Sequence, residues 1–154
     1  AVKEHATVPV MVKLSPNVTS IVDIAKAAED AGADALSLIN TLLGMRIDLN
    51  TRRPILKNNT GGMSGPAVLP VAVRCLWQVK NAVKIPLLGM GGVSRGEDAI
   101  ELMMAGASAV AVGTACFTDP RAPMQVLQGM EQWAEAHGIA EIASLTGTVQ
   151  TWGA

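Results

Sequence analysis

Short apolar runs in this chain end repeatedly on glycine, amide, hydroxyl or ammonium groups, and those ends are where it could do chemistry. Gly89-Met90-Gly91-Gly92 and Val112-Gly113-Thr114 close two of the runs. Backbone without a Cβ lets amides approach an anionic oxygen closely, and Thr114 adds a hydroxyl donor. Gly91, Gly92, Gly113 and Thr114 therefore suit a phosphate. Tight turns use glycine in the same way, so the reading rests on the two motifs together rather than on either alone. Lys13 ends the run Pro9-Val10-Met11-Val12-Lys13-Leu14. An ammonium buried there needs an anion or a polar ring atom to offset its desolvation, unless the stem lies along apolar surface and the head snorkels to the rim. Ile39-Asn40-Thr41 ends another run with an amide and a hydroxyl, groups matched to a planar ligand carrying carbonyls or ring nitrogens. Asparagine at a strand end is equally a turn residue.

Between Thr41 and Pro66 the connection is far longer than the roughly two to six residues usual between a strand and its helix, and loops of that length are functional or disordered. It holds Arg46, Arg52, Arg53 and Lys57, then Thr60-Gly61-Gly62-Met63-Ser64-Gly65. The glycines imply close approach to a ligand, whereas the basic residues also fit a solvated face. Cys75 falls on an apolar helix face and reads as core. Cys116 reads as packing, since a nucleophilic thiol needs a base and neither His5 nor His137 stands in a partner position. Met90, Met103 and Met104 read as core filler. No residue stands out as a catalytic acid or base, and two cysteines without paired spacing make no metal site.

These ends need elements to carry them. The run 9–14 predicts a strand stopped by Ser15-Pro16-Asn17. A helix follows from Val18 to Ala31, with Ile21, Ile24, Ala25 and Ala28 on one face and Gly32 at the left-handed C′ position. Ala35–Ile39 is a second strand, Ala67–Val83 a helix burying Val68, Ala72, Cys75, Leu76, Val79 and Val83, and Ile85–Leu88 a third strand. Ser94-Arg95-Gly96-Glu97 fits a capping box opening a helix that Gly106 ends. Ala109–Val112 is the fourth strand, and Asp119-Pro120 supplies an N-cap and an N1 proline for a last helix toward His137-Gly138.

Ala31–Leu38 echoes Ala105–Val112, each a helix end passing tightly into a strand. Strands apolar without alternation are covered on both faces, which implies a parallel sheet under helices. The expected fold is α/β, four parallel strand-helix units forming half of an eight-unit barrel, since a whole barrel needs about 250 residues. An open dinucleotide-binding sheet fits less well, because Gly89-Met90-Gly91-Gly92-Val93-Ser94 lacks the third glycine of that fingerprint.

With 154 residues, 49% hydrophobic and 16% charged, the chain is long enough for one core and one domain. A net charge of −1, with 12 basic residues in no block, argues against nucleic acid and anionic membrane as partners. Mean hydropathy is +0.33, yet charges, glycines and prolines break every apolar run before the roughly 18 residues of a membrane span. The cysteine usage and lack of a secretory leader make the cytoplasm the expected compartment. The chain opens on Ala1, and the half-barrel architecture favours upstream sequence being missing over removal of an initiator.

Taken in order, Val12-Lys13-Leu14-Ser15-Pro16-Asn17, Ser37-Leu38-Ile39-Asn40-Thr41, Thr60-Gly61-Gly62-Met63-Ser64-Gly65-Pro66-Ala67, Gly89-Met90-Gly91-Gly92 and Val112-Gly113-Thr114-Ala115 resemble the C-terminal half of dihydroorotate dehydrogenases, most closely the class 1B catalytic subunit. The resemblance implies FMN as cofactor, with Gly91, Gly92, Gly113 and Thr114 around its phosphate, Lys13 and Ile39 at the isoalloxazine, and Gly65 on the same group. It implies that Asn40 and Thr41 bind the pyrimidine. The family's reaction passes a hydride from dihydroorotate to the flavin while a base takes the neighbouring proton, giving orotate for pyrimidine synthesis. Lysine beside the flavin stabilises negative charge on the reduced ring.

In class 1B members the base is a cysteine on a loop of the first half. Neither Cys75 nor Cys116 occupies that position, so no catalytic residue is expected in this chain, and the isolated chain is expected to be inactive. Cys116 also stands where the family leads one to expect asparagine. Exposed edge strands call for the missing N-terminal half or for self-association. The resemblance further implies a homo-oligomer and a separate iron–sulfur and FAD subunit passing electrons to NAD. A half-barrel that binds FMN without turnover, and a relative of the dihydropyrimidine dehydrogenases, remain as alternatives.

Overall fold

The computed structural model describes residues 1–153. A first turn of helix, α1 (Val2–His5), precedes strand β1 (Met11–Lys13), helix α2 (Ile21–Asp30) and strand β2 (Ala35–Leu38). Four short strands follow: β3 (Leu42–Gly44), β4 (Ile47–Asp48), β5 (Arg53–Pro54) and β6 (Gly61–Met63). After a 3-10 turn at Pro66–Val68 come α3 (Leu69–Lys80), β7 (Leu87–Met90), α4 (Gly96–Ala105), β8 (Ala109–Ala111), the short α5 (Ala115–Thr118) and α6 (Ala122–Ala136). A 3-10 turn at Ile142–Leu145 closes the regular structure. No helix among the described residues is long and apolar enough to cross a membrane.

The main sheet runs β1-β2-β7-β8, with every neighbouring pair parallel. This is the α/β arrangement of four parallel strand-helix units expected from the sequence. The core lies between the sheet and its helices, where Leu36 and Leu38 of β2, Leu76 of α3, Leu87 of β7 and Leu102 of α4 are all buried. Each such side chain contributes roughly 2 kcal/mol by leaving water. The outer strands differ: Met11 on β1 is 50% exposed and Ala109 on β8 is exposed, because each has a neighbour on one side only.

Local chemistry sets the element ends, with α2 starting at Ile21 rather than Val18 and α3 spanning Leu69–Lys80 rather than Ala67–Val83. Ser20 caps α2 by accepting from the Asp23 amide at 3.3 Å, and Gly32 takes the left-handed turn at φ 85° that releases the chain into β2. All six residues expected on the buried face of α3 and its flanks are buried: Val68, Ala72, Cys75, Leu76, Val79 and Val83.

Several expectations need correction. Ile24 is exposed, since α2 packs against β2 and α3 and leaves its other side open. The third strand begins at Leu87 rather than Ile85, because pairing starts with Leu36 opposite Leu87 and Pro86 has no amide to donate. The box opening α4 uses Asp98, not Glu97: the helix starts at Gly96, which makes Asp98 its third residue. The last helix starts at Ala122, with Pro123 in its first turn; α5 and Asp119 occupy the stretch before it. The long connection is ordered. It folds into two nested antiparallel pairs, β3 with β6 and β4 with β5, making a ribbon that rises from the end of β2.

Candidate functional site

Parallel strands deliver their carboxyl ends to one side of a sheet, and here those ends enclose a cavity of about 450 Å³, within the roughly 300–1,000 Å³ range of small-molecule sites. All nine positions singled out from the sequence line it: Lys13 from β1, Ile39, Asn40 and Thr41 after β2, Gly65 before α3, Gly91 and Gly92 after β7, and Gly113 and Thr114 after β8.

One wall is bare backbone. The amides of Gly91, Gly92, Val93, Gly113 and Thr114 donate to no other group among the described residues, although all five residues line the cavity. Backbone amides are seldom left without an acceptor. Packing holds this wall in place. Gly92 has φ 86°, and a Cβ on it would sit 2.7 Å from the Leu69 amide nitrogen. Gly91 has φ 117° and faces Ile39, whose Cγ1 would lie 3.1 Å from an added Cβ. Gly113 differs: an added Cβ meets nothing within 4 Å, so its missing side chain leaves open space.

The next amides along the β7 loop are used. Asp98 accepts from the Ser94 amide and hydroxyl, both at 2.9 Å, and from the Arg95 amide at 3.1 Å, while Arg95 Nε reaches its second oxygen at 3.3 Å. Burial pushes the Asp98 carboxyl up, but these bonds outweigh it and hold the group below the ordinary carboxylate value. Beyond β8, Asp119 accepts from Arg121 and from the Gln125 side chain, and the Arg121 contact, chiefly, keeps its carboxyl low.

The opposite wall is made of side chains. Lys13 is exposed rather than buried, and its ammonium has no hydrogen-bond or ion-pair partner among the described residues. The reason is the position of β1, an outer strand that among the described residues pairs with β2 alone. Asn40 Oδ1 accepts from the Thr41 amide at 2.8 Å, which is its turn role, while its amide group has no protein acceptor and lines the cavity. Asn17 fixes this wall: it donates to the Thr41 carbonyl at 2.8 Å and accepts from the Leu43 amide at 2.9 Å. Cys75 is buried on the inner face of α3, where burial raises its thiol pKa against a weaker lowering by Arg74. Cys116 turns its sulfur toward the Val112 carbonyl, 3.7 Å away, and does not line the cavity.

The sequence model for dihydroorotate dehydrogenases matches residues 1–133 of the chain. The chain belongs to the dihydroorotate dehydrogenase family. It is 58% identical over 142 residues to the dihydroorotate dehydrogenase B (NAD(+)) catalytic subunit of Pelobacter propionicus, covering 92% of this chain and 47% of that protein. Against the same subunit of Geobacter metallireducens it is 59% identical over 150 residues, covering 97% of this chain and 49% of the relative. The chain thus spans about half the length of the curated relatives it matches. Among solved structures it resembles Eimeria tenella dihydroorotate dehydrogenase in complex with ferulenol, with TM-score 0.76 and 27% identity over 91% of this chain and 38% of that one.

Within this cavity, sequence reading missed Ser64, Ser94, Thr118 and Gln125, which also line it. Ser64 sat inside a motif already singled out, so its neighbours were the available signal. Gln125 is one polar residue on an amphipathic helix, and only the approach of α6 to the β8 loop brings it in.

Proposed function

We propose that this chain forms the FMN-binding and substrate-facing half of a dihydroorotate dehydrogenase B catalytic subunit, a cytoplasmic enzyme oxidising dihydroorotate to orotate in pyrimidine biosynthesis. The observation that carries the reading is that Gly91, Gly92, Val93, Gly113 and Thr114 line one cavity while their amides donate to no group among the described residues. Such a wall suits a phosphate, because unpaired amide dipoles are preorganised for negative charge. FMN, when bound, supplies the ring that accepts hydride.

In this reading Gly91, Gly92, Gly113 and Thr114 hold the phosphate, and Ile39 and Gly65 hold the ring. Lys13 sets a positive charge beside the ring, stabilising negative charge as it builds there; among the described residues no carboxylate pairs with it. Asn40 and Thr41 present an amide and a hydroxyl to the carbonyl and imide groups of the pyrimidine. The proton-accepting base belongs to the part of the subunit beyond this chain, consistent with coverage of about half of the relatives. The same reading seats that remaining half of the barrel against β1 and β8, whose exposure supports it. A homo-oligomer and a separate iron–sulfur and FAD subunit complete the proposed assembly, in line with the relatives' designation as a catalytic subunit.

The test is anaerobic addition of dihydroorotate to the purified complete protein. Bleaching of the visible flavin band with formation of orotate is expected. A flavin that stays oxidised with dihydroorotate but bleaches with dihydrouracil would move the chain to a different substrate, and one that bleaches with neither would leave a binding module.

A further inference from the structure

Asp98 lies outside the cavity, yet it is 5% exposed and receives four hydrogen bonds from the loop that forms the amide wall. A carboxylate close to a proposed anion site looks misplaced until its partners are counted. Two backbone amides, one hydroxyl and the Arg95 guanidinium take up its charge, and it stands at the third residue of α4, where a negative group favours the helix start. The loop is held at both ends by backbone packing. Gly92 abuts the Leu69 backbone at its beginning, and Gly96 abuts the Gly129 backbone at its end, where no Cβ could fit. Between those two points, the Asp98 carboxylate accepts from the Ser94 and Arg95 amides.

The consequence is a division of amides. Ser94 and Arg95 donate to Asp98, whereas Gly91, Gly92 and Val93 donate to no described group and line the cavity. We propose that Asp98 is a positioning residue: by holding the Ser94 and Arg95 peptides, it keeps the three preceding amides turned toward the phosphate. The inference rests on the FMN reading given above and extends it to a residue that touches no ligand. Without the Asp98 carboxylate, the Ser94 and Arg95 amides lack their acceptor, the chain from Gly92 to Gly96 turns to find water or another partner, and the preformed cradle is lost.

Riboflavin has the same ring as FMN but no phosphate, and that difference isolates the effect. Dissociation constants for both are to be measured on the flavin-free complete protein carrying the native Asp98, Asp98→Asn or Asp98→Ala. The unsubstituted protein is expected to favour FMN. Asp98→Ala should reduce that preference by about tenfold or more, with riboflavin affinity changed by less than about twofold. Asp98→Asn retains an oxygen to accept from Ser94 and Arg95 and should recover most of the preference, and it also serves should the alanine variant fail to fold. Equal weakening of both ligands in either folded variant, or an unchanged preference in Asp98→Ala, would overturn the assignment. An unsubstituted protein that binds both flavins equally would remove the phosphate reading itself, and this inference with it.

Discussion

The two walls of the cavity are built by opposite means. At the β7 and β8 loops the contact surface is backbone, wedged by Gly92 against Leu69 and pinned by Asp98. At the β1 and β2 ends it is side chain, carried by the exposed Lys13, Asn40 and Thr41 and flanked by a ribbon with Leu43 66% and Leu49 87% exposed. On the function proposed above, the difference matches what each wall would meet. A phosphate is the same in every turnover, and rigid amides recognise it without reorganisation. A ring and substrate that change charge and hydrogen-bonding pattern call for an ammonium, an amide and a hydroxyl on the strand nearest the open side.

The contrast can be broken in order of expected effect. Gly92→Val attacks the rigid wall most severely: it forces φ 86° on a β-branched residue and drives its side chain into the Leu69 backbone. A loss of roughly 3 kcal/mol or more in unfolding free energy, together with loss of bound flavin, is expected from denaturant titration and flavin content. Lys13→Ala attacks the side-chain wall and should do the reverse. Folding stability stays within about 0.5 kcal/mol because Lys13 is exposed, while flavin reduction by dihydroorotate in stopped flow slows by about 100-fold; a normal rate would remove Lys13 from its proposed place.

Gly113→Ala sharpens the comparison within the rigid wall. Its Cβ meets no protein atom, so melting is unchanged, yet the methyl group enters the space proposed for phosphate and should weaken FMN by about tenfold, seen by fluorescence titration. Acid unfolding tests the pin. The Asp98 carboxyl lies lower in the folded chain than in the unfolded one. Its contribution is therefore complete above the unfolded value of about 4 and is lost as pH falls through the folded one. Asp98→Asn should flatten the stability profile in that acid window and leave its slope near neutrality unchanged. Smallest of all, Leu49→Lys on the ribbon tip should alter stability by less than about 0.5 kcal/mol in thermal melts.

Legibility in the sequence followed the same division. The strands β2 and β8 could be read because short apolar runs sit between a helix-ending glycine, Gly32 or Gly106, and a polar or glycine tip, and the cavity positions could be read because they are strand tips. Lys13 was legible as a cavity residue but not as an exposed one, since burial depends on which strands flank β1. Glu97 and Asp98 are adjacent carboxylates, and a spacing rule cannot choose between them; the helix start is set by Gly96 fitting against Gly129, a contact between distant segments. The ribbon was unreadable as paired strands because its strands are two or three residues long. Yet Leu43, Met45, Ile47 and Leu49 alternate with Gly44, Arg46 and Asp48, a period-two signal that pointed to extended chain.

The most direct measurement is a crystal structure of the complete protein with its flavin bound. Phosphate oxygens are expected within about 2.7–3.2 Å of amide nitrogens drawn from Gly91, Gly92, Val93, Gly113 and Thr114, with the ring toward Lys13 and Asn40. A flavin reversed in the cavity, its phosphate at Lys13 and those amides facing water, would contradict that arrangement.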